Sequence, residues 1–303
     1  MKDSFFYGGQ AVIEGVMMRG RQALAIGVRR PDGSIVVHEQ ALVPWSQRSA
    51  ILRRPLLRGV VALAEALIIG IRALNFSAAQ ATDGEEEPLS AKEMAVSLGL
   101  AIAMTVGLFV VLPAFLIRFI QDVISHNLVL NLVEGLIKVS LFALYILAIG
   151  QMPDIKRVFQ YHGAEHKAIN CYEAGLPLTV DNVARQSIVH TRCGTNFILI
   201  VLLMSVFLFS FFGRPPFVER VLIHLLLLPV VAGLSYEIIR HAAKDNAWAL
   251  VRWIATPGLW MQRLTTRPPE REQLEVAIAA LERVLVRDGA PMADVSAEAA
   301  YVR

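Results

Sequence analysis

The sequence predicts a polytopic, mainly helical membrane protein with a small β unit at its N-terminus. The mean hydropathy of the 303 residues is +0.52, and only 18% of them are charged, against about 25% in a typical soluble domain. Four apolar segments are long enough to cross a bilayer, and β-prone runs on either side of a turn precede them. These three observations together predict the fold class.

The first fifty residues are predicted to form the β unit. β-prone runs at 23–28 and 34–38 flank Pro31-Asp32-Gly33, which is the signature of a hairpin. Glycines at positions 8, 9, 15 and 20 indicate turns or places where two backbone segments approach each other closely. We therefore assign residues 1–50 to a β-rich unit.

The next region, 51–93, is predicted to hold an amphipathic helix at 56–79 and then an acidic linker. Arg58, Glu65 and Arg72 are spaced seven apart, so their side chains lie close to one helical face. That pattern is typical of a helix that lies in the membrane interface rather than one that spans it. A re-entrant helix shows the same pattern and is the alternative.

Residues 94–240 are predicted to form a membrane domain of four spanning helices. A span needs roughly 20 apolar residues, and the segments that satisfy this are 96–117, 128–150, 196–212 and 217–239. A region at 151–195 connects the second span to the third. The tail, 241–303, is predicted to contain an amphipathic helix at 268–287 and to end in about a dozen disordered residues.

The second span contains two charged residues, Glu134 and Lys138. An isolated charge at the bilayer centre costs at least about 2.5 kcal/mol, and the i, i+4 spacing allows these two residues to form an ion pair. We expect a pair that faces the helix bundle or the interface. The alternative is a transport role in which His224 and Glu237 of the last span take part.

The distribution of lysine and arginine predicts the orientation of the chain. Residues 1–93 carry 11 of them, the region 151–195 carries 5 and the tail 240–303 carries 9, whereas the connections 118–127 and 213–216 carry one each. The positive-inside rule then places both termini and the region 151–195 in the cytoplasm.

Candidate metal ligands concentrate in the region 151–195. His162 and His166 are four apart, so on a helix they share one face, and Glu165 directly precedes the second histidine. The order His-x-x-Glu-His is that of the inverted zinc peptidases, in which the glutamate acts on metal-bound water. A second pair, His190 and Cys193, follows. Imidazole and thiolate ligands together favour zinc, with iron or another divalent ion as the alternative.

One possible arrangement of this site is catalytic. His162 and His166 hold the metal, and Glu237, near the end of the last span, is the candidate third ligand. Glu165 is then the general base that acts on a water molecule whose pKa the metal lowers.

The other possible arrangement is structural. The same two histidines, together with His190 and Cys193, close a four-coordinate site with no open position. Asp181 and Cys171 are reserve ligands in either arrangement, because cysteines in a reducing compartment remain free thiols or metal ligands. A third possibility is a region without metal, in which the histidines lie at the membrane interface.

Three segments resemble, in order, the signatures of the bacterial YqhQ family: the segment from Gly8 to Gly20, the segment from Tyr161 to Lys167 and the segment from His190 to Thr195. The resemblance covers about residues 5–285. It implies a bacterial membrane protein of unknown function, sometimes labelled a predicted metal-dependent enzyme. It also implies a set of site positions: His162, Glu165, His166, His190 and Cys193.

The leading hypothesis is a metal-dependent membrane enzyme, hydrolase-like, with its site at the cytoplasmic face of the inner membrane. Glu165 is its catalytic base, and Glu14 of the β unit assists if it folds back onto the region 151–195. Membrane lipid and membrane proteins are the expected partners, and a net charge of +3 gives no indication of nucleic acid. The alternatives are a non-catalytic scaffold or assembly factor with a structural metal, and a transporter.

Overall fold

The computed structural model describes residues 7–82, 90–242 and 248–291, with backbone alone at 91 and 249–255. The predicted fold class is confirmed: the chain is a polytopic, mainly helical membrane protein with a small N-terminal sheet. The acidic residues of the predicted linker, 85–87, and the last dozen residues lie outside the described ranges.

The sheet is a four-stranded antiparallel meander in chain order. Its strands are β1 (Gly8–Val12), β2 (Gly15–Arg19), β3 (Ala23–Arg29) and β4 (Ile35–Ala41). The predicted hairpin is confirmed as β3–β4, in which Arg29 is paired with Ile35. In its turn, the carboxylate of Asp32 accepts a hydrogen bond from the backbone N–H of Ser34 at 2.8 Å, which is a local bond that favours the turn.

Ten α-helices follow the sheet within the described ranges. They are α1 (Leu57–Ala81), α2 (Ala91–Val106), α3 (Leu112–Ile120), α4 (Asn127–Ile149), α5 (Pro153–Glu173), α6 (Val180–Ala184), α7 (Gly194–Phe209), α8 (Phe217–Ala242), α9 (Ala249–Thr265) and α10 (Arg271–Asp288). A π-helical turn, Gly107–Val111, joins α2 to α3. This wider turn accommodates Pro113, which cannot donate a backbone hydrogen bond in a regular helix.

The four predicted spans are confirmed as four helices with the length and apolar composition of membrane spans. They are Lys92–Ile120, Asn127–Ile149, Gly194–Phe212 and Phe217–Ala242. Much of the region 151–195, which connects the second span to the third, is also helical, because α5 and α6 lie within it. The helix α9, which packs mainly against α7, was not predicted from the sequence.

Both faces of the sheet are covered by helices. One face packs against α5 and α10, through side chains that include Val16, Met18, Ala23 and Ala25. The other packs against α1, through side chains that include Met17, Leu24, Ile26 and Val28. Burial of both faces explains why β2 and β3 are almost continuously apolar rather than alternating with polar residues.

The predicted amphipathic helix of the tail is confirmed as α10, and it belongs to the same core as the sheet. Leu274, Ile278 and Leu281, at the predicted apolar positions, are all buried there. At the end of α10, the carboxylate of Asp288 accepts hydrogen bonds from the backbone N–H groups of Arg21 and Gln22, at 2.6 and 2.9 Å. The N-terminal unit and the tail therefore form one packed layer.

The predicted ion pair in the second span is confirmed and faces the bundle. Lys138 Nζ lies 2.8 Å from Glu134 Oε1, and both side chains are almost completely buried. Arg220 and His224 of α8 also bind this carboxylate, at 2.5 and 2.8 Å. His224 is thus a hydrogen-bonded residue of the helix bundle. Its contacts satisfy polar atoms that would be costly to leave without partners among apolar side chains.

Candidate functional site

The candidate site is built on α5, which places the two histidines of the motif next to each other. Pro153 opens the helix at a position where its missing N–H costs nothing. The spacing of four then puts the rings of His162 and His166 on one face, with their centroids 4.4 Å apart. The predicted sharing of a helical face is confirmed.

These two histidines meet the thiol of Cys193 at one point. One ligand atom from each of the three residues lies within 4.8 Å of the other two. His162 Nε2 is 3.2 Å from Cys193 Sγ. We call these three residues the metal-ligand cluster. Two imidazoles and one thiol form a donor set of the kind that zinc prefers.

The second nitrogen of each ring is fixed by a backbone carbonyl. His162 Nδ1 donates to the carbonyl oxygen of Thr265 at 2.9 Å, and His166 Nδ1 donates to that of Ile188 at 2.6 Å. A carbonyl oxygen only accepts hydrogen bonds, so Nδ1 carries the proton in both rings. In the neutral form, each Nε2 then keeps a lone pair, which is the arrangement that metal-binding histidines adopt.

His166 Nε2 is the least satisfied atom of the cluster. The side chain is 1% exposed, and within the described part of the chain this nitrogen has the Cys193 thiol nearby but no well-formed hydrogen bond. Burial lowers the pKa of His166, although the nearby Cys193 partly opposes this effect. The ring is therefore held neutral, with its lone pair available in a buried position.

Cys193 is fixed at the N-terminus of α7. It is the N-cap residue of that helix, and its sulfur accepts a hydrogen bond from the backbone N–H of Thr195 at 3.4 Å. Helix N-termini favour negatively charged groups, since the backbone dipoles point their positive ends at them. The start of α7 thus holds the sulfur of Cys193 beside the two histidines.

Glu165 lies beside the cluster and is buried. Its side chain is 5% exposed, and it accepts a hydrogen bond from the backbone N–H of Gly9 in β1. Burial raises the pKa of Glu165, and the neighbouring His162 and His190 reduce that rise. A carboxyl group with a raised pKa is a better proton acceptor near neutral pH than an exposed one.

Part of the support for the site comes from α9 and the segment after it. Besides the carbonyl of Thr265, α9 provides Gln262, whose side-chain amide bonds to both the N–H and the carbonyl of His190, at 2.9 and 2.8 Å. Neither residue was predicted from the sequence, since a Gln and a Thr at the end of a helix have no distinguishing pattern. Gly163, inside the motif, could have indicated from the sequence that another backbone segment approaches α5 closely at this position.

The structure does not bring Glu237 or His190 into the metal-ligand cluster. Glu237 is instead ion-paired through both carboxylate oxygens with Arg58 of α1, at 2.6 Å for the longer contact. His190 Nε2 lies 3.4 Å from the carboxylate of Glu173, although its ring centroid is only 5.7 Å from that of His166. A side chain that already holds a charged partner is less available as a ligand.

The other predicted site residues also have partners of their own. Glu14 turns toward α5, where its carboxylate accepts two hydrogen bonds of 2.5 Å from Arg157 and one of 3.3 Å from Tyr161. Its φ of 49° is unusual for glutamate. Asp181 is exposed and pairs with Arg271, and burial raises the pKa of the Cys171 thiol. None of these three residues belongs to the metal-ligand cluster found among the described residues.

A cavity of about 530 Å³ opens directly in front of the cluster. All three residues of the cluster and Glu165 border it, together with residues of the sheet, α1 and α8. A concave space with a few convergent polar groups is the usual form of a binding site. The cluster is therefore accessible from one side and enclosed by protein on the other.

Comparison with known proteins finds a family and a relative whose functions are not assigned. Residues 54–287 match the family described as a protein of unknown function, DUF1385. The chain is 37% identical, over 292 residues, to the uncharacterized protein YqhQ of Bacillus subtilis (strain 168), a match that covers 92% of each protein. No solved structure matches the chain. The resemblance to the YqhQ family is thus confirmed, and the chain belongs to the family described as DUF1385.

Proposed function

We propose that this protein is a metal-dependent membrane enzyme, hydrolytic in type, that acts at the cytoplasmic face of the bacterial inner membrane. One observation carries the proposal: two histidines with fixed Nδ1–H groups direct their Nε2 atoms toward one thiol. Metal-binding histidines almost always donate their other ring N–H to a fixed acceptor such as a backbone carbonyl. The start of α7, a membrane span, provides the third ligand, so the site lies at the end of that span.

The residues fit a divalent metal, with zinc as the best match. Three protein ligands and a cavity beside them leave one coordination position open to a small molecule, which is typical of catalytic rather than structural zinc. A bound zinc ion supplies Lewis-acid chemistry and lowers the pKa of water toward about 7. The unsatisfied Nε2 of His166 is explained if a metal is its partner.

Glu165 is the proposed general base. It borders the same cavity and is held in place by the N–H of Gly9. In this role it takes a proton from the attacking water and later returns it to the leaving group. The nearby Arg157–Glu14 ion pair fixes the first β-turn against α5, so in this proposal Glu14 keeps the sheet, and with it Gly9, in position.

The first test is the metal content of detergent-purified protein by elemental mass spectrometry. We expect about one metal per chain, and we expect it to be lost in His166→Ala and in Cys193→Ala, because each removes one of three ligands. His126→Ala is the matched control, since this exposed histidine lies at the start of α4, away from the cluster. Wild-type protein without metal, even after zinc reconstitution, would contradict the proposal.

Two further variants separate an enzyme from a scaffold with a structural metal. His190→Ala keeps the metal if the site is open and loses it if His190 is a fourth ligand. Glu165→Gln keeps the metal, and in an enzyme it lowers the rate of hydrolysis of chromogenic phosphate or carboxyl esters by about 10²- to 10⁴-fold. Loss of metal in His190→Ala with unchanged behaviour of Glu165→Gln would favour the scaffold.

A further inference from the structure

Helix α1 turns most of its charge toward the protein. Arg58 Nε donates to Glu237 Oε1 of α8 at 2.6 Å. Glu65 is almost completely buried, and its carboxylate accepts hydrogen bonds from Arg19 at 2.5 Å and from the backbone N–H of Trp45 at 2.7 Å. Two of the three charges that mark the polar side of this helix therefore have partners inside the molecule.

The opposite side of α1 is apolar and exposed. Leu63, Leu67, Ile68 and Leu74 are each at least 37% exposed, and their spacing places them on one side of the helix. We call this side the outer face of α1. Arg72, the third charge, is exposed on the flank of the helix. A helix on the surface of a water-soluble domain buries its apolar side, so the reversed arrangement indicates that apolar material covers the outer face.

The helix α1 extends between the ends of two membrane spans. Near its start, a Cβ atom at Gly59 would lie 3.1 Å from the Cα atom of Gly233, toward the C-terminal end of α8. Near its end, Asn75 Nδ2 lies 3.4 Å from the sulfur of Met94, in the first turn of α2. The start of the first span and the end of the fourth lie on the same side of a bilayer. A helix that connects them lies along the membrane surface.

The sheet holds the inner side of α1 and so fixes the direction of the outer face. Ala73 packs into the apolar core between α1 and the sheet. The hydroxyl of Ser77 accepts a hydrogen bond from the backbone N–H of Ile13 at 3.2 Å. A Cβ atom at Gly70 would lie 2.8 Å from the side chain of Gln10. Re-entrant insertion of α1 into the bilayer would break these contacts, whereas a position in the interface keeps them.

The segment that leads into α1 is basic. Residues 40–64 contain four arginines and neither aspartate nor glutamate. Three of the four, Arg48, Arg53 and Arg54, are exposed. Ile51, between them, is 58% exposed. Exposed apolar side chains next to arginines are suited to an interface in which hydrocarbon lies beside anionic head groups.

We infer that the outer face of α1 and the arginines before it form a membrane-docking surface. The outer face lies in the interface of the leaflet on the side of the sheet, and Arg48, Arg53 and Arg54 bind anionic lipid head groups. The metal-ligand cluster has no part in this surface, so protein without metal would leave it unchanged.

A second copy of the chain fits this surface less well than a bilayer does. In a two-fold symmetric contact the same patch lies on both partners, so the arginines of one copy would be close to those of the other. Like charges brought together oppose association. Anionic lipid instead supplies the charge that complements them.

The first test places a photoreactive benzoylphenylalanine at Leu67 of the full-length protein, in nanodiscs of phosphatidylcholine and phosphatidylglycerol. Leu226 in α8 is the positive control. Val286 is the negative control, because it is 62% exposed but belongs to α10, which packs on the other face of the sheet. We expect lipid adducts by mass spectrometry at Leu67 in yields similar to those at Leu226, and none above background at Val286.

Leu74 is a second labelling position on the outer face and shows whether a result at Leu67 is local. Absence of lipid adducts at both positions would overturn the inference. Cross-links between two chains as the main product would also overturn it, because a second copy would then cover the outer face.

The arginines are tested in the same nanodiscs with benzoylphenylalanine at Ile51. We expect phosphatidylglycerol to be enriched among the adducts relative to its share of the bilayer. Combining Arg53→Gln with Arg54→Gln should lower this enrichment severalfold, since each arginine near an anionic surface contributes about fivefold. Arg287→Gln is the matched control, because it removes an exposed arginine of α10. Equal enrichment in the double variant and the control would overturn the role of the arginines.

Discussion

At the scale of single residues, the site depends on places where the backbone passes very close to a helix. Gly163, between the two histidines of the motif, is one of them. A Cβ atom at this position would lie 2.2 Å from the carbonyl oxygen of Arg267, which is far too close. The segment that passes here also contains Thr265, whose carbonyl fixes the Nδ1–H of His162. The motif therefore needs a glycine here, because a side chain would displace the backbone segment that orients His162.

Replacing Gly163 by alanine should weaken metal binding without removing a ligand. The added methyl group displaces the Thr265–Arg267 segment, so His162 loses the carbonyl that orients it. Loss of such a supporting hydrogen bond typically lowers metal affinity about 10- to 100-fold, which competition with a chelator measures. Gly194→Ala is the control, because no atom lies within 4 Å of its added Cβ. Equal affinities in the two variants would contradict this account.

At the scale of helices, the buried cluster between α4 and α8 connects two spans through charge. Glu134 is bound by Lys138, Arg220 and His224. His224 also donates from Nδ1 to the carbonyl of Arg220 at 2.6 Å, and its Nε2 lies 2.8 Å from Glu134 Oε1. One acidic side chain thus compensates several buried positive groups, and the packing of these helices depends on it.

Glu134→Gln should destabilise the protein strongly. The substitution leaves Lys138 and Arg220 buried without a counter-charge, which typically costs about 3–5 kcal/mol. Unfolding in mixed micelles, followed by circular dichroism, measures the effect. Glu219→Gln is the matched control, since this acidic residue of α8 is exposed and should change stability by less than about 0.5 kcal/mol. A stable Glu134→Gln protein would mean that the positive groups have another partner.

The contact between α1 and α8 relies on two small residues. A Cβ atom at Gly59 would lie 2.8 Å from Tyr236 Cβ and 3.1 Å from the Cα atom of Gly233. Close approach of this kind is common where helices pack in or at membranes. It also sets the width of the cavity, because Gly59 and Tyr236 both border it.

Gly59→Val should push α1 away from α8 and lower the thermal stability of the purified protein. Overfilling a packed contact costs about 1–3 kcal/mol. Gly99→Val, in the first span, is the matched control, because nothing lies within 4 Å of a Cβ atom added there. If both variants melt at the same temperature, the α1–α8 contact is not as tight as its geometry indicates.

At the scale of the whole molecule, the N-terminal sheet and α10 are folded together on one side of the four spans found in the described part of the chain. β2 and β3 pack against α10, and α5 lies against the same core. With four spans, an even number, the N-terminal sheet and the C-terminal helix can share a side without any further crossing. The lysine and arginine counts predict that this side is the cytoplasm.

Reporter fusions in a bacterial host test this orientation. Alkaline phosphatase, which is active only outside the cytoplasm, should be active when fused after Asp122, in the connection between the first two spans. The same enzyme fused after Gly175, beyond α5, should be inactive. A green fluorescent protein at the C-terminus, which fluoresces only in the cytoplasm, should be bright. The opposite pattern would place the metal-ligand cluster outside the cell and would contradict the proposed location.

Periodicity and composition alone predicted much of the fold. The four spans are fixed by local hydrophobicity, and the β3–β4 hairpin is fixed by its turn, so neither depends on distant contacts. The spacing of four in the motif predicted that His162 and His166 share a face. The ion pair of Glu134 and Lys138 was predicted on the same basis, since both residues belong to one helix.

Only the tertiary structure decided which distant residues lie beside the two histidines of the motif. Glu237 and Cys193 were both chemically reasonable candidate ligands, and the sequence does not reveal which of them lies near the two histidines. In the structure Glu237 is ion-paired with Arg58, whereas the start of α7 brings Cys193 to the two histidines. The carbonyls of Thr265 and Ile188 are backbone groups, so no residue type could identify them. The sequence by itself determined the spans and the motif because local patterns encode them. Ligand pairing and the shape of the cavity arise only when segments far apart in the chain pack together.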